Sequence, residues 1–252
     1  MIELPFKLAK WPLRLRFFRR RTILCPTWTG LLAIALLLLA PLAAWFLYGE
    51  SYLSETRRSE ADVLVVEGWI GRAGLRAALE EFGRGGYRYV IVSGGLTSGR
   101  WDDQPQSYAE MAAREMIRLS LPKERLLVAT SEKTERYRTF ESAVAVWRTL
   151  HATAIKPKGL NIFTFGPHAR RSELVFSKVN SDIKNVGVIG WRPVEFQNEK
   201  WWQSSERSKE FWEESIGYLY EVLLNSGRST NSPEIVNAIG VAPGSVKQTQ
   251  CG

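Results

Sequence analysis

The stretch Asn161-Ile-Phe-Thr-Phe165-Gly166-Pro167-His168-Ala-Arg170-Arg171-Ser172 carries the reading of the fold. Residues 160–165 are apolar and β-prone, Gly166 breaks the run, and Pro167 suits the first turn of a new helix, where its missing N–H is no loss. A strand that turns directly into a helix leaves unpaired backbone N–H groups at the helix start. His168, Arg170 and Arg171 add donors and positive charge beside them, so the turn suits an anion. The plainer alternative is a capping or packing histidine and a solvated pair of arginines.

The same alternation runs outward on both sides. Compact apolar runs at residues 62–67, 89–93, 125–129, 160–165 and 185–189 predict five strands, each ended by glycine or polar residues. Between and after them, apolar residues at helical spacing predict helices over 71–82, 107–119, 134–150 and 203–224, besides the one that follows Gly166. Short strands that are apolar along their whole length belong to a mostly parallel sheet covered on both faces. The expected fold is a Rossmann-like three-layer α/β domain over residues 61–225. Residues 226–252 are rich in Ser, Asn, Gly and Pro and are expected to be disordered.

A different chemistry precedes the domain. Residues 28–48 carry no charge and are long enough to cross a hydrocarbon core of about 30 Å, with Trp28, Trp45 and Tyr48 as interfacial aromatics and Pro41 inside the span. Residues 1–27 hold seven Lys and Arg against Glu3 alone, six of the net eight positive charges of the 252-residue chain. The positive-inside rule then puts this segment in the cytoplasm and the α/β domain on the outer side of the membrane. Within the segment, residues 6–21 mix Trp11, Phe17 and Phe18 with the basic side chains and suit anionic lipid. A cleaved signal peptide, with Ala43-Ala44 as a small-residue site, is the competing reading. The long charged leader and the length of the apolar run favour an uncleaved anchor. Residues 49–60 read as a polar connector, a short stalk. With the basic charge confined to the leader, the rest of the chain is close to neutral, which argues against nucleic acid as a partner. Cys25 and Cys251 flank everything globular and do not suggest a structural disulfide.

In an open parallel sheet the ligand sits beyond the carboxyl ends of the strands. That rule selects Glu67-Gly68, Ser93-Gly94-Gly95, Thr130-Ser131-Glu132 and Gly166-Pro167-His168, a series of polar or glycine-rich ends suited to a polar, anionic small molecule. Several chemistries are excluded by pattern. Residues 93–99 lack the Lys-Ser/Thr of a P-loop, Gly68, Gly71 and Gly74 have the wrong spacing for a dinucleotide fingerprint, and there is no Gly-x-Ser-x-Gly elbow. His151 and His168 are the only histidines, too few for a multi-histidine metal site. Glu67, Asp102, Asp103 and Glu110 would hold a hard divalent ion only if loops brought them together, so no cofactor is indicated.

The succession Asp62-Val-Leu-Val-Val, Val90-Ile-Val-Ser-Gly-Gly95, Glu110, Thr139-Phe-Glu141-Ser142-Ala143 and Pro167-His168-Ala-Arg-Arg171-Ser172 resembles the ElyC/SanA/YdcF family, in that family's order and spacing over about residues 61–225. The resemblance implies a Rossmann-like fold, an envelope protein linked to bacterial cell-wall or surface-polymer assembly, and a poorly defined activity. It marks Ser93, Gly94, Gly95, Glu110, Thr139, Glu141, His168 and Arg171 as pocket residues. Glu67-Gly68 stands where the family has a double glycine, Ser142 where it has asparagine, and Arg136 and Arg138 where smaller polar residues are commoner.

Three functional readings follow. In the leading one, a phosphorylated or lipid-linked envelope precursor is gripped by Arg138, His168, Arg170 and Arg171, and if there is catalysis, as a phosphohydrolase or transferase, His168 is the general acid or base with Glu67 or Glu141 orienting it. In the second, the domain is a non-catalytic scaffold for envelope-assembly proteins. Its support is the aromatic cluster Trp191, Trp201, Trp202, Phe211 and Trp212, set against a core-facing spacing of Phe211, Ile216, Leu219, Tyr220 and Leu223 in the last helix. A nucleotide-like or S-adenosylmethionine ligand is the third, by fold analogy alone.

Overall fold

The computed structural model describes residues 26–97, 106–131, 137–196 and 198–224. The basic leader with its amphipathic run, Cys25, Cys251, Trp101, Asp102, Asp103, Glu132, Arg136 and the Ser/Asn-rich tail lie outside the described residues. Two compact units divide the chain between Ala43 and Ala44. The first holds most of an apolar helix, α1 (Trp28–Leu53), which contains Pro41 and is long and apolar enough to cross a membrane.

In the second unit, five parallel strands form one sheet in the order β3-β2-β1-β4-β5: β1 (Val63–Glu67), β2 (Tyr89–Gly94), β3 (Leu126–Thr130), β4 (Gly159–Phe165) and β5 (Asn185–Trp191). The helices are α2 (Gly71–Gly83), α3 (Tyr108–Arg118), α4 (Arg138–Ala152), α5 (Ala169–Val179) and α6 (Ser205–Leu223). Strand side chains alternate between the two faces. Val63 and Val65 therefore join α4 and α5 through Phe140, Val144 and Phe176. Leu64 and Val66 join α2 and α3 through Leu75, Ala78 and Met116. Both faces being covered is why β1 is apolar at four consecutive positions, and the three-layer architecture read from the pattern is borne out.

Pro167 lies in a single 3-10 turn, Gly166–His168, which links β4 to α5. The order of the strands reverses between β1 and β4, so the crevice of the sheet opens beyond the ends of these two. Glu67 ends one of them and His168 follows the other.

Two expectations are corrected. Residues 49–60 are not a free stalk. The last turns of α1 bury Gly49, Glu50 and Leu53; Arg57 pairs antiparallel with Val188 of β5 through two 2.8 Å backbone hydrogen bonds; and Asn161 accepts from the Ser59 N–H at 2.9 Å while donating to the Ser59 carbonyl at 3.1 Å. The polarity that suggested a connector serves this docking. The second correction concerns α6. Of its five core-spaced apolar residues Phe211 is fully buried, whereas Ile216, Leu219, Tyr220 and Leu223 are exposed. A charged face of the helix turns inward instead, because it has buried partners to meet.

Candidate functional site

A cavity of about 1250 Å³ lies between the carboxyl ends of the strands and α6. Its floor is formed by Glu67, Gly94, Gly95, Ser131 and His168, one side by the start of α4 from Tyr137 to Phe140, and the other by Arg207, Glu210, Glu214 and neighbouring residues of α6. A smaller hollow of about 300 Å³, around Tyr87, Arg88 and Arg125, lies at the opposite, amino end of the sheet and gathers none of the predicted residues.

His168 is the centre of the cavity floor, 6% exposed. Its Nε2 is 3.4 Å from Glu67 Oε2 and 3.4 Å from Thr139 Oγ1, and its Nδ1 is 3.0 Å from Glu214 Oε1. Trp69 meets the imidazole edge-on, with the rings 5.2 Å apart. Burial opposes a charge on His168, but the carboxylates of Glu214 and Glu67 outweigh it and raise its pKa to about 9. The imidazole is thus a cation at neutral pH.

The two carboxylates are held in complementary ways. Glu67 is 2% exposed and accepts from the hydroxyls of Thr164 and, at 3.2 Å, Ser172. Burial would raise its pKa, yet His168, the Thr164 hydroxyl and the charge of Arg171 hold it below the ordinary carboxylate value. Glu214 receives two 2.8 Å hydrogen bonds from Arg171 in a bidentate pair. Burial opposes its charge too, but His168 and Arg171 lower its pKa to about 2. Arg171 also lies 3.0 Å from His168 Nδ1 through the nitrogen that binds Glu214, so one guanidinium and one carboxylate compete for that ring position. A cavity glycine makes this possible: a Cβ on Gly217 would stand 3.0 Å from Arg171 Cδ.

Of the predicted residues, the structure brings together Glu67, Gly94, Gly95, Arg138, Thr139, His168 and Arg171 in one cavity wall. Ser93 lies just beneath it, fully buried beside Glu67 in the sheet register, its hydroxyl without a partner among the described residues. The others are placed elsewhere. Gly68 packs α3, since a Cβ there would stand 2.5 Å from the Tyr108 carbonyl oxygen. Gly166 is buried against Arg192 rather than opening to the cavity. Glu110 is exposed in the first turn of α3, and Glu141 is not among the residues that line the cavity. Arg170 is spent on the last turn of α1, the residues just after it and its own helix: it donates to the Tyr52 carbonyl at 3.1 Å, pairs with Glu55 and Glu173, and stacks over the Tyr52 ring at 4.5 Å. The orienting carboxylates of His168 are therefore Glu67 and Glu214.

Sequence reasoning missed the α6 wall. Arg207, Glu210, Glu214 and Glu221 recur at i, i+3, i+7 and i+14, one face of the helix, a signal that is ordinarily a solvated stripe. Here Arg207 is 4% exposed, pairs with Glu50, and leaves its Nε–H without an acceptor among the described residues. For Glu210, burial raises the pKa to about 7, against the pull of Arg207 and with the push of Glu214 and Glu50. Six glutamates and four cationic side chains besides His168 line the cavity, so it is not a plain anion cradle. Arg138 and the Gly94-Gly95 turn stand on the α4 and β2 side, whereas α6 carries five of the six glutamates together with Arg207 and Lys209. Among the described residues no three His, Cys, Asp or Glu side chains are grouped to hold a metal ion.

Compared with models of known protein families the chain matches none, and a comparison with curated proteins also finds no match.

Proposed function

We propose that this chain is a membrane-anchored, extracytoplasmic protein of bacterial envelope or surface-polymer biogenesis that binds a phosphorylated, sugar-bearing precursor, with His168 as proton donor. The observation that carries the reading is the division of the cavity about His168. On one side stand Arg138, the Gly94-Gly95 turn and the amino end of α4, a 15-residue helix whose dipole favours a negative group. On the other stand Glu206, Glu210 and Glu213, acceptors for hydroxyl groups, with Arg207 and Lys209 of the same helix and with Trp69, Tyr137 and Tyr220 at the cavity wall. Phosphate suits the first side and a sugar the second.

A histidine charged at neutral pH, with Glu214 at Nδ1 and only long 3.4 Å approaches to Glu67 and Thr139 at Nε2, is set up to turn its Nε2 proton to a leaving oxygen. Glu67 and Glu214 position it and stabilise its charge. Arg207 supplies a further buried donor at the cavity wall. The resemblance to the ElyC/SanA/YdcF family agrees with an envelope role, and the apolar helix would keep the cavity near a lipid-borne substrate.

The test is native mass spectrometry of the full-length protein purified in mild detergent. A phosphorylated glycolipid is expected with the wild type, lost in Arg138→Ala and retained in His168→Gln, with turnover of that lipid abolished in the second variant. A wild-type cavity that never carries a phosphorylated molecule would overturn the reading; lipid bound without turnover in the wild type would leave a non-catalytic carrier or scaffold.

A further inference from the structure

Helix α6 has three distinct faces. Phe211, Ser215 and Tyr218 pack on the end of α1: Trp45 donates its indole N–H to Ser215 at 3.1 Å, Phe211 lies against Gly49, and Tyr218 meets Tyr52 hydroxyl to hydroxyl at 2.8 Å. The face with Arg207, Glu210 and Glu214 turns to the cavity. The third face is a stripe of Trp212, Ile216, Leu219 and Leu223, spaced i, i+4, i+7 and i+11 and exposed at 47%, 68%, 50% and 67%. A helix that turns Arg207, Glu210, Glu214 and Glu221 inward and a continuous row of large apolar side chains outward, with only Glu206, Lys209 and Glu213 among its charges exposed, suits an apolar environment along that row.

The occupant of that stripe is indicated by what adjoins it. The aromatics of the same unit that sit at the end of the apolar helix continue onto the neighbouring 3-10 turn Trp201–Gln203: Trp201 donates to the Phe46 carbonyl at 2.9 Å, and the half-exposed Trp202 stacks on the half-exposed Phe46 with centroids 5.0 Å apart. Phe46 lies where the apolar helix would leave the hydrocarbon, the level at which aromatic side chains favour the interface. Trp201 in turn meets Trp212, the first residue of the stripe, at 5.7 Å. Aromatic contacts therefore run without a break from α1 to α6, with Phe46, Trp202 and Trp212 half-exposed around the buried Trp201.

We infer that the Trp212–Leu223 stripe of α6 seats in the interfacial layer of the same bilayer that α1 enters, and that this holds the cavity mouth against the lipid. Ile216 and Tyr220 belong both to this outward side and to the cavity lining, so a lipid-borne ligand reaches His168 along the stripe without leaving the membrane surface. The inference rests on the anchoring role proposed for α1.

The experiment uses the full-length protein with Cys25→Ser and Cys251→Ser, reconstituted in phosphatidylethanolamine/phosphatidylglycerol vesicles that contain doxyl-labelled lipid. Single cysteines are placed by Leu219→Cys, Leu223→Cys, Leu38→Cys in the apolar helix and Arg76→Cys on the exposed side of α2, each carrying an environment-sensitive fluorophore. Lipid-borne quenching at Leu219 and Leu223 is expected to exceed that at Arg76 by about threefold or more, with Leu38 quenched as well. Quenching at Leu38 with Leu219 and Leu223 no different from Arg76 overturns the docking and leaves the anchor intact. No quenching at Leu38 overturns the anchor and the docking with it. Labels at Leu219 and Leu223 shielded only as protein density in the vesicles rises would point to a second copy of the chain and equally overturn it.

Discussion

Glu67 Oε2 lies 3.4 Å from His168 Nε2, and the two residues come from the two strands between which the sheet order reverses. Strand β1 delivers the carboxylate and the turn after β4 delivers the imidazole, so the pair forms across the point where the sheet naturally leaves a crevice. Both groups are buried, and each keeps its charge because the other is there.

Removal of one partner from such a pair leaves a buried, uncompensated charge. Glu67→Ala is expected to lower stability by about 3–5 kcal/mol, while Glu67→Gln, which keeps the hydrogen bonds to Thr164 and Ser172 available, should cost roughly half as much. Urea denaturation of the full-length protein in detergent reads both; equal, sub-kilocalorie effects would mean that the pair does not stabilise the fold.

The pH dependence follows from three groups. His168 has its pKa raised from 6.5 to about 9, so its contribution is complete below about 6.5 and is lost as pH rises through 9. Glu210, raised from 4.5 to about 7, likewise loses stability between those values as pH rises. Glu214, lowered from 4.5 to about 2, contributes stability that is complete above about 4.5 and is lost as pH falls towards 2, outside the range in which the other two groups act. Stability should thus fall steadily from about pH 5 to pH 9, with His168 supplying on the order of 3 kcal/mol of the decline. Denaturation midpoints measured across that range check it, and His168→Gln should flatten the limb above about pH 6.5. A midpoint that rises with pH in the wild type would contradict the assignment.

The adjacent arginines Arg170 and Arg171 should separate cleanly. Arg170→Ala loosens residues 52–55 and should cost about 1–2 kcal/mol with ligand retention unchanged. Arg171→Ala frees Glu214 and should weaken retention of a phosphorylated ligand by about tenfold or more. Side-by-side binding measurements with the two variants would refute the placement if Arg170 proved the more important for ligand.

Two glycine substitutions test packing against site geometry. Gly68→Ala puts a methyl 2.5 Å from the Tyr108 carbonyl oxygen, where backbone must shift, and should destabilise by about 1–3 kcal/mol. Gly217→Ala meets only the flexible Arg171 side chain, at 3.0–3.2 Å, so it should perturb binding more than melting temperature. Thermal unfolding and ligand retention of both variants decide this; the reverse ranking would exclude it.

The fold was legible because a parallel sheet covered on both faces leaves a strong local trace: five largely apolar strands, each followed by a glycine or polar turn, between helices of regular period. The strand-end rule led from the same trace to Glu67, Gly94, Gly95 and His168, since position after a strand is itself sequence information; Arg171 came from the turn beside His168, and Thr139 from the family resemblance alone. Gly68, Gly166, Glu110, Glu141 and Arg170 satisfied that rule or the family pattern equally well, yet which way each side chain turns, and what already occupies it, is settled by packing.

The sequence by itself determined the strand-helix alternation, the apolar helix and the location of the histidine turn, because hydrophobic period and turn chemistry act within a few residues. Only the tertiary structure decided that Glu214 and Arg207, some forty residues beyond the turn, line the same cavity as His168, and that α6 turns Arg207, Glu210, Glu214 and Glu221 inward and its leucines outward. A helical stripe reports that two faces differ; which of them meets protein, cavity or lipid depends on the neighbours that long-range contacts bring to it.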